Sequence, residues 1–180
     1  RVRRLEDDRA IRDLKARYLR ACDLKQPGTV RDCLLPGARI AYEGFPQFDN
    51  REDFVAIYEQ MGCQPHIFDI HHGANGVISF SAEDRATGQW ALTFHNIDLA
   101  GQTITQFGIE YEDVYLRKDN RWWIAETVTR KKSVLIQQVD DRLVERLSAA
   151  RPLTLESLVE VAWNVRSLDS SDLTGSTRLM

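Results

Sequence analysis

Residues 88–128 read GQWALTFHNIDLAGQTITQFGIEYEDVYLRKDNRWWIAETV. Its apolar residues fall in short extended runs: Trp90, Leu92 and Phe94; Ile104 and Phe107; Tyr111, Val114 and Tyr115; Trp122, Trp123 and Val128. Aromatic and β-branched side chains suit a pleated, half-buried surface. Ala100-Gly101 and Lys118-Asp119-Asn120 punctuate the runs, Glu83-Asp84 precedes them, and all three suit hairpin turns. Val77 and Ile78 carry the pattern back to about His66, so the stretch predicts roughly four antiparallel strands.

Upstream the period is helical. Ile11, Leu14, Tyr18 and Cys22 recur at spacings of three and four, giving one apolar face on a first helix that Pro27-Gly28 ends. Thr29 reads as the cap of a short second helix that stops before Pro36-Gly37, and Arg39 to Glu43 as a brief extended piece. Asn50 or Asp49 caps a third helix with the stripe Phe54, Ile57, Tyr58 and Met61, stopped by Gly62. Helices followed by strands argue for a segregated α+β architecture, in which a curved sheet with helices over its open face encloses a pocket. Downstream, Val139 to Leu147 and the segment from Thr154 through Val165 are again amphipathic, on either side of Pro152. The expected division is a catalytic domain at 1–135 and a helical extension at 136–180, packing on its own or a neighbouring subunit.

Composition narrows the functional classes. The chain has 180 residues, 43% of them hydrophobic, enough to bury a substantial core in one domain. Its 24 basic and 27 acidic side chains leave no surplus to neutralise a phosphate backbone, so nucleic acid is not the expected partner. No apolar run approaches the roughly 20 residues that span a bilayer, and no membrane partner or signal peptide is expected. Cys22, Cys33 and Cys63 lack paired CxxC spacing, which fits a reducing, cytoplasmic setting and small apolar roles. GxGxxG, P-loop, GxSxG and HExxH motifs are all absent.

The densest polar stretch is Asp69-Ile70-His71-His72-Gly73-Ala74-Asn75. Histidine is the natural proton carrier near neutral pH. Adjacent strand residues face opposite ways, so only one of His71 and His72 enters a cavity and the pair makes a poor metal site; no metal is expected. Asp23 follows the edge of the first helix's stripe, where a carboxylate has no packing reason to be, and there it can orient an imidazole. Tyr18 and Tyr42 can donate to a substrate oxygen or serve as core aromatics. Arg130 reads either as an anion-binding charge within a strand or as an exposed strand-end residue. Glu110, Glu112 and Asp113 read as a solvated acidic cluster, and no second aspartate suggests itself as a partner for a carboxylate base.

Taken together, Ile11 through Tyr18 to Asp23, then Tyr42, Ile70-His71-His72-Gly73, Gly88-Gln89-Trp90 and Trp122-Trp123-Ile124-Ala125-Glu126-Thr127 resemble the SnoaL-like branch of the NTF2-like superfamily. The likeness covers about residues 5 to 133 and is nearest the bile-acid 7α-dehydratases, with scytalone dehydratase and a hexachlorocyclohexane dehydrochlorinase more distant. It implies a cone, a homotrimer or homodimer, and elimination without a cofactor. It also implies a catalytic dyad of Asp23 and His71, pocket phenols at Tyr18 and Tyr42, and substrate contacts from Arg130, Trp90, Phe94 and His95. Where the bile-acid enzymes carry a further aspartate, this chain has Thr93-Phe94-His95, so His95 is expected to assist the leaving group and Phe94 to favour aromatic substrates. The expected function is β-elimination of water or formaldehyde from a hydrophobic, hydroxylated aromatic or polycyclic molecule. Isomerase, cyclase and non-catalytic binding modules of the same fold are the alternatives.

Overall fold

The computed structural model describes residues 2–139. Helices α1 (Val2–Asp23) and α2 (Pro27–Cys33) lead into strand β1 (Leu34–Tyr42), helix α3 (Arg51–Met61) and four long strands. These are β2 (Ile67–Phe80), β3 (Arg85–Asp98), β4 (Thr103–Lys118) and β5 (Arg121–Gln138). They form one sheet in the order β1-β5-β4-β3-β2, antiparallel except where β1 runs parallel to β5. The expected α+β class and the three hairpin turns are present, and β1, read from sequence as a short extended piece, is a full edge strand. β5 continues to Gln138, past the boundary drawn at 135, and the two expected tail helices lie outside the described residues apart from Val139.

The helix ends follow local chemistry, in one case not as expected. α1 stops at Asp23 because Lys25 takes a left-handed φ of 54° and the Gln26 amide bonds back to the Ala21 carbonyl. Pro27 therefore does not end α1; it begins α2 at the position where its missing N–H costs nothing, so Thr29 is not the cap. Asn50 caps α3 by accepting from the Asp53 amide at 2.9 Å.

Register shifts bend the sheet. β2 carries an extra length of chain between Ala74 and Val77, with Asn75 at φ 53°, and β5 slips against β4 at Gly108/Ile109 and at Val114/Tyr115. Such bulges kink the strand and raise its twist, curving the sheet over α1 and α3. Gly76 in the β2 bulge has no side chain because the Trp90 ring occupies that space: a Cβ there would lie 2.2 Å from Trp90 Cζ3.

The core sits between α1 and the inner sheet face. Ile11, Leu14, Tyr18 and Cys22 are buried, as their spacing predicts, and every second β3 residue from Ala86 to Leu92 faces them. Burial of each large apolar side chain contributes about 1.5–3 kcal/mol. Polar links in the core also tie α1 to the sheet. Asp7 accepts from Trp122 Nε1 and Arg117 Nη1, both at 2.9 Å. Lys15 Nζ lies 2.8 Å from Asp113 Oδ2 and 3.5 Å from the centre of the Tyr111 ring, with both charged side chains almost wholly buried. Glu110 and Glu112 are solvated as expected, but Asp113 is not: it faces inward and answers Lys15.

Candidate active site

The apolar stripe of α1 delivers Asp23 to the inner face of β2. Gly73 allows this approach, since a Cβ at that position would stand 2.7 Å from Leu19 Cδ1. One Asp23 oxygen, Oδ1, accepts two bonds from the same residue: the His71 backbone N–H at 2.9 Å and Nδ1 at 2.7 Å. An ionised carboxylate only accepts, so the shared proton belongs to Nδ1 and the neutral ring keeps Nε2 as its basic nitrogen. The backbone bond fixes the carboxylate to the strand that carries the imidazole, so both partners move as one unit. Asp23 and His71 are partly buried, at 27% and 14% side-chain exposure, sheltered yet reachable.

The dyad borders a cavity of about 570 Å³ between α1, α3 and the inner sheet face. Phe94 lies 4.6 Å from His71, ring centre to ring centre, and stacks on Phe107 at 5.8 Å with planes 6° apart, forming an aromatic shelf beside the base. Deeper in, the Tyr18 and Tyr42 hydroxyls share a hydrogen bond of 2.5 Å, and Tyr42 meets Tyr111 edge-on. Burial raises all three phenols above their usual range, so they stay protonated donors at neutral pH. Asp69 also faces the cavity and accepts from Asn96 Nδ2 at 2.7 Å; loss of solvent raises its carboxyl, with the Asn96 bond opposing. Among the described residues no group of three or more His, Cys, Asp or Glu side chains is placed to hold a metal ion.

The profile of a family described as "SnoaL-like domain" matches residues 3–128. The chain belongs to the SnoaL-like domain family. Solved structures share its NTF2-like cone. A type 2 hexachlorocyclohexane dehydrochlorinase (LinA) superposes with a TM-score of 0.70 at 20% identity, covering 76% of this chain and 92% of that one. A candidate scytalone dehydratase from Novosphingobium aromaticivorans gives 0.69 at 17% identity, covering 77% and 92%. A candidate aromatic ring hydroxylase from the same organism gives 0.67 at 15%, covering 74% and 93%. At these identities the likeness is one of fold.

Within this SnoaL-like domain, Tyr18, Tyr42, His71 and Phe94 line the cavity, with Asp23 holding the imidazole. Three expected contacts lie elsewhere. Arg130 is exposed and pairs with Glu112 at 3.4 Å on the outer face, because the bulge opposite Tyr115 switches the facing of β5. Trp122 and Ile124 point inward before the bulge, Thr127 and Thr129 after it, and Lys131 takes the cavity position instead. Trp90 faces inward but is buried in the core, its Nε1 donating to the Tyr115 hydroxyl at 3.0 Å. His95 neighbours Phe94 and so faces away from the cavity. The expectation of no second aspartate is also corrected, by Asp69. Its two-residue offset from His71 on a strand was the signal available for it.

Proposed function

We propose that this SnoaL-like domain is a lyase that eliminates water or formaldehyde from a hydrophobic, hydroxylated aromatic or polycyclic molecule. The observation that carries the reading is the double hydrogen bond from His71 to Asp23 Oδ1 at the edge of an aromatic cavity. In dehydration, His71 Nε2 takes a proton from carbon and the electron pair of that C–H bond forms the double bond. The hydroxyl on the next carbon departs, taking a proton from the Tyr18/Tyr42 pair to leave as water. Asp23 stabilises the imidazolium, which then returns its proton to the phenols and restores the site. Lys131, which lines the cavity with its Nζ 5.2 Å from the Phe107 ring centre, adds positive charge to the wall beside the aromatic shelf. General acid/base assistance is worth about 10²–10⁴-fold, so the substrate proton must already be acidified by conjugation. A formaldehyde elimination would use the same base on a hydroxyl proton and break a carbon–carbon bond.

The dehydrochlorinase and scytalone dehydratase names among the structural neighbours favour elimination over other chemistry. Exposed Phe68, Ile70 and Leu135 on the outer sheet face favour assembly with copies of the same chain, which sedimentation velocity tests. The functional test is incubation of wild type and His71→Ala with hydroxysteroid thioesters and diaryl-propane diols, followed by mass. Loss of water or of formaldehyde, abolished in the variant, supports the reading. Products of unchanged mass would mean an isomerase, and tight binding without turnover a binding module.

A further inference from the structure

The inner face of the sheet is ordered in cross-strand rows. The row through the base runs His71, Phe94, Phe107 and Val134. One row on, towards the β3–β4 hairpin, the register sets Asp69 opposite Asn96, Asn96 opposite Thr105 and Thr105 opposite Ile136, and all four line the cavity. Directly opposed side chains lie about 4.5–5.5 Å apart, and two residues along a strand cover about 7 Å. Three polar side chains therefore form a belt across the cavity wall about 7 Å from the base, bordered on one side by phenylalanines.

Asp69 and Asn96 bond each other through Oδ1 and Nδ2 at 2.7 Å. That leaves Asp69 Oδ2 as an acceptor, the second amide hydrogen of Asn96 as a donor, and the Thr105 hydroxyl as either. Keeping a carboxylate partly out of water costs stability unless its remaining oxygen finds a donor. Nothing in the elimination chemistry uses Asp69.

We propose that Asp69, Asn96 and Thr105 form a second subsite that receives a non-reacting hydroxyl group of the substrate, one row, about 7 Å, along the sheet from His71. A hydroxyl matches the belt because it donates to Asp69 and accepts from Asn96 or Thr105, whereas an ammonium only donates and a carboxylate only accepts. Burial raises the Asp69 carboxyl, with the Asn96 bond opposing, and the mixed donors and acceptors of the belt suit a neutral guest. The spacing requires a second hydroxyl on a ring beyond the one that reacts, hence a substrate of at least two fused or linked rings. This rests on the elimination reading for the position of the reacting carbon, while the hydroxyl preference itself is a binding property.

The test uses 2-naphthol, naphthalene, 2-naphthylmethylamine and 2-naphthoate as probes, with affinities measured on wild type, Asp69→Leu, Asp69→Asn and His71→Ala. Wild type is expected to prefer 2-naphthol to naphthalene by about tenfold, the worth of a hydrogen bond to a charged acceptor. Asp69→Leu loses that preference, Asp69→Asn keeps only part of it, and His71→Ala retains it. No preference, a preference removed by His71→Ala instead, or tighter binding of the amine or the carboxylate would overturn the proposal. Failure of the lyase reading would appear separately, as absent turnover with the Asp69-dependent preference intact.

Discussion

Replacing Asp113 with asparagine keeps the shape of the side chain and removes one charge from the core. Lys15 then has the rings of Tyr111 and Tyr18 and the new amide, but no counter-charge, around its ammonium. Burial already lowers the Lys15 ammonium below its ordinary range, with Asp113 opposing, so the variant will fold with Lys15 neutral. Ordinary lysine titrates near 10.4, about 3.4 units above pH 7, and each unit is about 1.4 kcal/mol, which caps the cost of deprotonation at about 4.6 kcal/mol. Loss of one partner of a buried pair costs about 3–5 kcal/mol in general, so the two routes agree. The sign with pH follows. Folding releases the proton, so the deficit is about 4.6 kcal/mol at pH 7 and shrinks as pH rises towards 10.4, to about 2 kcal/mol at pH 9. Urea unfolding of wild type and variant at both pH values, followed by tryptophan fluorescence, measures this. A deficit below about 1 kcal/mol, or one independent of pH, would refute the assignment of Asp113 as the charge that holds Lys15.

Other substitutions test neighbouring parts of the structure. Gly76→Ala places a methyl group against Trp90 and is expected to destabilise by about 1–3 kcal/mol in the same unfolding assay. Tyr42→Phe keeps the ring contacts with Phe54 and Tyr111 but removes a phenol, so turnover of a substrate from the panel falls by about 10²-fold with KM little changed. Burial raises the Asp69 carboxyl against the opposing Asn96 hydrogen bond, so its ionisation costs stability at neutral pH. Asp69→Asn therefore melts at a higher temperature than wild type at pH 7, and the advantage fades as pH falls through the raised value towards about 3.9, where both states are protonated.

What the sequence reveals and conceals follows from the range of each interaction. The period of three and four in α1, the turns at 83–84, 100–101 and 118–120, and the Asn50 cap are local, and they place the elements where the structure has them. Asp23 stood out because a carboxylate at the edge of the α1 apolar stripe has no packing reason to be there. Asp113 did not, because its partner Lys15 is distant in sequence and adjacent only once α1 lies on the sheet. The pocket contact of Arg130 was implied by the resemblance, and its exposure is the other reading its residues allowed: one bulge in β5 sets Lys131 at the cavity in its place. Phe94 and His95 could not both enter one cavity, which the two-residue period already required.

Asp23 holds His71 with its proton on Nδ1 and its basic nitrogen on Nε2. Heteronuclear NMR of protein labelled in its histidine rings reads that tautomer without any substrate. His71 is expected to be the Nδ1–H form at neutral pH in the wild type and to lose this preference in Asp23→Asn. A wild-type His71 carrying its proton on Nε2, or a tautomer unaffected by Asp23→Asn, would contradict it.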